Sequence, residues 1–286
     1  MIEVENLNFT YDGAKRATLR GLDFEIPEGR IFGFLGPSGS GKSTTQKILY
    51  GLLRTFEGTV RVLGRDIREW DAQIYEQIGI CFELPNHYSS LTVRENLEYF
   101  ATLYATDTHP VDTVLEWVDL TDASEQRVLT LSKGMKVRLN VARSILHKPR
   151  LLFLDEPTGG LDPVNARRIK DLVLRLRDEG ATVFVTTHDM MVADELCDEV
   201  AFLTGGQIRA LDAPEVLKKQ YGKRSCVITT LVDGASTRHE FPLDHLGAQP
   251  AFRQLLDDDV RIETIHSQET TLDRIFIEVT GEELPA

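Results

Sequence analysis

The chain has 286 residues, a formal net charge of −13, 42% hydrophobic residues and 27% charged residues. It has room for more than one average domain with a full core, and the composition excludes a disordered chain, a collagen-like repeat and a disulfide scaffold. The acidic balance supplies no global basic footprint for nucleic acid, so no nucleic-acid partner is expected, although a local basic groove stays open.

The amino terminus, MIEVENLNFTYDG, lacks a basic stretch followed by an apolar one, so no secretion signal is expected and the chain reads as cytosolic. The longest apolar runs, such as Leu151 to Leu154, fall far short of the roughly 20 residues a membrane-spanning helix needs. Cys81, Cys197 and Cys226 are scattered without CxxC spacing and read as reduced thiols. Up to about Tyr221, short β-type runs alternate with helical stretches, the mark of an α/β fold. Predicted strands are Ile2 to Phe9, Leu19 to Ile26, Arg30 to Leu35, Thr59 to Leu63, Ile78 to Phe82, Leu151 to Asp155, Thr182 to Thr186, Val200 to Leu203 and Gln207 to Leu211. Several are unbroken apolar runs, as expected of strands covered on both faces. Between Thr92 and Leu146 strand signals vanish and helical periodicity takes over, opened by Thr92 and Glu95 at capping-box spacing.

After Tyr221, Gly222 to Ser225 reads as a linker. A β-β-α-β-α series follows: Cys226 to Val232, Thr237 to Phe241, Ala251 to Leu256, Val260 to Ile265 and Thr271 to Val279. The predicted division is therefore a domain over 1–221 and a small α+β accessory domain over 222–286. The latter is the more acidic by density, with twelve acidic against six basic side chains after residue 222.

The segment GPSGSGKST fits GxxxxGK[ST] and sits between a predicted strand and a predicted helix. It comprises Gly36, Pro37, Ser38, Gly39, Ser40, Gly41, Lys42, Ser43 and Thr44. Backbone N–H groups of such a loop and of the helix start point at phosphates, Lys42 reaches the β and γ oxygens, and Ser43 ligates Mg²⁺. A second carboxylate site is supplied by Leu151 to Pro157, an apolar strand ending in Asp155, placed to hold Mg²⁺ through water, and Glu156, a candidate general base.

Leu131-Ser132-Lys133-Gly134-Met135, ahead of a helical run and shortly before the Asp155 strand, resembles the signature motif of the ATP-binding cassette (ABC) ATPases. The order of the other motifs is similar to that family as well: Tyr11, the phosphate loop, a helical insert, the signature, the Asp155 strand, Gly160-Leu161-Asp162 as a D-loop, and Thr187-His188-Asp189 around a switch histidine. The resemblance covers residues 1 to about 220. It implies a P-loop ATPase with a RecA-like parallel core sheet, an antiparallel β arm and a helical subdomain inserted at about 87–147. It also implies ATP and Mg²⁺ as cofactors, with Tyr11 stacking on adenine and His188 contacting the γ-phosphate and orienting Glu156. Two cassettes of such proteins dimerise head to tail, so Ser132, Gly134 and Asp162 are expected to complete the partner's site.

Two positions depart from the family pattern. Glu83 stands where the Q-loop glutamine is usual; it reads either as a Mg²⁺-sensing ligand with an added negative charge or as a solvated acid. Lys133 and Met135 replace the commoner glycine and glutamine, and Lys133 reads as a further attraction for phosphate or as a solvated cation. The closing stretch from Glu269 to Gly281 is similar to that of ATPases serving ABC-2-type permeases, mostly exporters. The resemblance thus implies an ATP-hydrolysing subunit, peripheral at the cytoplasmic face of the membrane, driving a separate polytopic permease as a homodimer or a heterodimer. An importer subunit, a soluble ABC-type ATPase acting on nucleic acid or ribosomes, and a non-hydrolysing regulator remain the alternatives.

Overall fold

The computed structural model describes residues 1–222, 225–232, 235–257, 261–268 and 270–281. Lys223 and Arg224 of the predicted linker, Val260 and Glu269 lie outside the described residues. The chain divides into two compact units, the first ending at Ala213 and the second beginning at Pro214.

The first unit runs β1 (Ile2–Phe9), β2 (Leu19–Ile26), β3 (Ile31–Leu35), α1 (Lys42–Leu49), β4 (Glu57–Val62), β5 (Arg65–Asp66), β6 (Ile78–Cys81), α2 (Val93–Ala101), α3 (Val111–Trp117) and α4 (Lys133–Ile145). It continues with β7 (Leu151–Asp155), α5 (Pro163–Asp178), β8 (Thr182–Thr187), α6 (Met190–Leu196), β9 (Glu199–Thr204) and β10 (Gln207–Asp212). Six strands form one sheet in the order β10-β9-β3-β8-β7-β6, parallel throughout except for the β9–β10 pair. Strands β3 and β8 are buried at every position, which is why β3 is apolar without alternation and β8 carries no residue more polar than threonine. A four-stranded antiparallel arm, ordered β2-β1-β4-β5, packs against that sheet. Between them lies an aromatic core in which Phe24, Phe34 and Phe184 hold ring centroids 5.3 to 6.5 Å apart.

The inserted segment between β6 and β7 is helical as predicted, and Thr92 forms the full capping box with Glu95. Strand β5 was not legible: it is two residues long and arises because the Leu63–Gly64 turn, both with positive φ, folds the chain back on β4. The topology has one decisive consequence. Strands β3, β8 and β7 are parallel neighbours, with Leu35 opposite Thr187 and Thr186 opposite Asp155, so the segments that follow them emerge at one edge of the sheet.

The second unit contains α7 (Pro214–Tyr221), β11 (Ser225–Val232), β12 (Ala235–Pro242), α8 (Pro250–Asp257), β13 (Arg261–Gln268) and α9 (Leu272–Thr280). Its sheet is antiparallel in the order β12-β11-β13. Cys226, Ile228, Phe241 and Leu255 make its small core. Helix α7 packs on α9, burying Leu217 on one side and Ile275 and Phe276 on the other, so the compact unit starts one helix before the predicted linker. All three cysteines are free and buried, and burial pushes the Cys81 thiol up to about 12. Among the described residues no helix is long and apolar enough to cross a membrane.

Candidate functional site

The loop between β3 and α1 wraps the helix start because glycine stands at the two positions that tolerate nothing else. A Cβ on Gly36 would lie 2.1 Å from the Leu203 carbonyl oxygen, and Gly41, which caps α1, has φ +115°. Lys42 turns back over the loop and donates to the carbonyl oxygens of Gly36 at 2.6 Å and Pro37 at 3.0 Å. Burial lowers the ammonium's proton affinity, against the pull of Glu156, Asp155 and Glu83.

A cavity of about 450 Å³ opens over this loop. Its lining includes Ser38, Gly39, Gly41, Lys42, Ser43 and Thr44 from the loop, with Glu83, Asp155, Glu156 and His188 from the ends of β6, β7 and β8. Tyr11 closes another side, its hydroxyl 3.1 Å from Thr44 Oγ1 and its ring edge-on to Phe9. Gly36, Pro37 and Ser40 do not line the cavity; they form the turn that holds Lys42. Thr18, which no sequence pattern singles out, lines it too.

The carboxylates are held by Thr186 and Gln46, which sequence reasoning missed, and by Thr187, which it named only as part of the switch-histidine motif. Thr186 Oγ1 donates to Asp155 Oδ1, and Gln46 Nε2 on α1 donates to Thr186 Oγ1 at 3.1 Å. Thr187 Oγ1 donates to Glu156 Oε2 at 2.9 Å. The signal was available in the Thr-Thr pair directly before His188. Glu156 Oε1 accepts from the main-chain N–H of His188 at 3.0 Å and lies 2.6 Å from its Nδ1. Glu156 itself takes the left-handed conformation, φ +48°, which turns its side chain off the strand path at the sheet edge. Burial first, then Glu83 and Glu156, push the Asp155 carboxyl above the usual range, against the Thr186 hydrogen bond and Lys42. Three carboxylates and one ammonium thus share one cavity beside a loop of backbone N–H groups. That donor set fits a polyphosphate accompanied by a divalent cation, whose charge offsets the excess of acid.

The remaining candidates lie elsewhere. Ser132 caps α4, accepting from the Met135 N–H at 3.2 Å. Asp162 caps α5, accepting from the N–H groups of Val164 and Asn165 at 3.1 Å; the hydrogen bond from the Asn165 side chain first, then those from the main-chain N–H groups, hold its carboxyl below the usual range. Neither these two nor Gly134 lines the cavity. The caps are neighbours: a methyl on Gly134 would touch Leu161 Cδ2 at 3.4 Å, and one on Gly160 would meet Lys133 Cε and Nζ at 3.2 and 3.3 Å. Lys133 therefore lies over the start of the Gly160–Asp162 loop.

Known proteins resemble the chain on several grounds. A family model described as ABC transporter matches residues 19–159. The fluoroquinolones export ATP-binding protein of Mycobacterium tuberculosis is 50% identical over 99% of this chain and 94% of its own length. The linearmycin resistance ATP-binding protein of Bacillus subtilis is 29% identical over 99% of both. Among solved structures, a dimeric post-hydrolysis ATP-binding cassette bound to ADP and Pi is 27% identical. Its TM-score is 0.68, and the match covers 74% of this chain and 98% of that one.

Proposed function

The chain belongs to the ATP-binding proteins of ABC transporters, an ATPase subunit that powers export, and on that footing we propose that its cargo is of the fluoroquinolone type. The observation that carries the proposal is identity of 50% across 99% of the chain, because it includes the second unit, which lies beyond the matched family segment. The cargo path belongs to a separate polytopic permease, and the chain sits peripherally on its cytoplasmic face. The test is ATP-dependent efflux of a fluoroquinolone from vesicles carrying the chain and its permease. Efflux that stops with Glu156→Gln supports the reading; efflux indifferent to that substitution overturns it.

At the site, the glycine-rich loop and Lys42 bind the phosphates and Tyr11 packs on the base. Ser43, Asp155 and Glu83 would hold Mg²⁺, which supplies charge neutralisation at the β and γ oxygens. Glu156 acts as general base toward the attacking water. Glu156 accepts from Thr187 Oγ1 and from the His188 main-chain N–H and lies 2.6 Å from His188 Nδ1, so a His188 ring that turns off Oε1 opens that oxygen to the attacking water. Release from Oε1 leaves the ring free to turn an N–H toward a phosphate oxygen.

Ser132, Gly134 and Asp162 complete the site of a second cassette, so the working unit holds two nucleotides between two chains, identical or paired with a related ATPase. What supports this is their position at helix starts away from the chain's own cavity. The second unit, 214 onward, is an accessory domain that tunes assembly with the permease.

A further inference from the structure

We infer that Asp119 is a positioning residue that holds the helix of the Ser132 motif and the helix of the Asp162 loop in one register; this rests on the two-cassette reading above. Asp119 follows α3 in the left-handed conformation, φ +57°, a strained place for a non-glycine residue that aspartate tolerates well. Its two carboxylate oxygens serve different helices. Oδ2 accepts from Arg138 Nη1 on α4 at 3.1 Å, and Oδ1 pairs with Arg168 Nη1 on α5 at 2.8 Å. Arg138 and Arg168 each stand six positions beyond the cap of their helix, Ser132 and Asp162. At about 1.5 Å of rise per residue, the clasp grips both helices at the same depth below their caps.

The Arg138 arm is the firm one. Its side chain is 9% exposed, and Nη1 also donates to the carbonyl oxygens of Val118 at 2.8 Å and Asp119 at 2.6 Å. Removing the Asp119 charge leaves a buried guanidinium without its counter-charge. The Arg168 arm is exposed at 41% and is the adjustable one. The same face of α5 meets the segment around Asp119 once more, where Arg175 lies 4.1 Å over the ring of Trp117. Helix α5 therefore transmits the position of the insert to Asp162, and the Gly134–Leu161 and Lys133–Gly160 contacts complete the bracket at the caps. None of these residues lines the nucleotide cavity.

The experiment uses the full chain in the Glu156→Gln background and follows ATP-driven self-association by sedimentation, with ATP affinity of the monomer measured separately. Arg168→Ala is expected to weaken association about two- to fivefold, the range of an exposed ion pair. Asp119→Asn, which keeps the tolerated backbone conformation but not the charge, is expected to weaken it tenfold or more. Monomer ATP affinity stays unchanged in both, and Arg168→Lys restores association. If Asp119→Asn fails to fold, Arg168→Ala and its lysine rescue still decide. Association unchanged in Arg168→Ala while the Glu156→Gln chain associates overturns the clasp alone. A Glu156→Gln chain that never associates with ATP overturns the two-cassette reading and the clasp with it.

Discussion

Nδ1 of His188 lies 2.6 Å from Oε1 of Glu156, and the His188 main-chain N–H donates to the same oxygen at 3.0 Å. The pair joins the ends of two adjacent parallel strands, so its geometry is inherited from the sheet rather than from a loop. His188→Ala is expected to lower ATP turnover about 10²-fold, the scale of lost acid–base positioning, while leaving ATP affinity within a few-fold. Equal losses in affinity and turnover would show that the ring mainly binds.

Glu83 lines the cavity with Ser43 and Asp155, and its charge acts on both Lys42 and Asp155. Glu83→Gln removes a negative charge from the phosphate side. ATP binding measured in EDTA should tighten roughly three- to tenfold, and the gain on adding Mg²⁺ should shrink. Titration of a fluorescent ATP analogue with and without Mg²⁺ reads both; no change in either would mark Glu83 as a solvated acid.

Gly36 has the Leu203 carbonyl oxygen where a side chain would start. Gly36→Ala should displace the loop, cost about 3 kcal/mol of stability and lower Tm by several degrees, with ATP binding lost. Gly39, with nothing near the place of a Cβ but a φ of +81°, should suffer less when changed to Asn.

His87 gives the fold a pH dependence. Its Nε2 lies 3.1 Å from the Lys136 carbonyl oxygen, so Nε2 carries the proton, and Nδ1 is buried without a partner. Burial lowers its value to about 4, and burial lowers His147 and His109 in the same direction. The unfolded chain takes up the proton near the ordinary imidazole value and the folded chain does not. Stability is therefore full above about pH 6.5 and falls as pH drops toward about 4. Tm measured from pH 7.5 to 4.5 should decline, and His87→Gln, which can still donate to Lys136, should flatten the decline.

Much of this was legible because the parallel strands are apolar without alternation and the phosphate loop is a local pattern. Gly36 to Thr44, Asp155 and Glu156 could be read from contiguous residues. What escaped depends on contacts between distant segments. Thr186, Thr187 and Gln46 matter only because β8 and α1 lie beside β7, and no spacing in the chain announces that. Ser132 could be read both as a motif residue and as the cap of its helix, and it caps α4 as read, whereas Asp162 could be read only as a motif residue and its service as the cap of α5 emerges from backbone geometry. Helix α7 falls in the second compact unit because Leu217 packs toward α9, a partner that lies some fifty residues later in the sequence. The Asp119 clasp was invisible for the same reason: its three charged members are spread over the turn after α3, α4 and α5.

Everything above turns on this chain hydrolysing ATP with Glu156 as the base. It is tested most directly by steady-state hydrolysis and equilibrium ATP binding on the purified full chain, wild type against Glu156→Gln. Wild-type turnover should be measurable and fall at least about 10²-fold in the variant while ATP affinity is retained. Turnover that survives Glu156→Gln unchanged, or a wild-type chain that binds ATP and never hydrolyses it alone or with its permease, would contradict it.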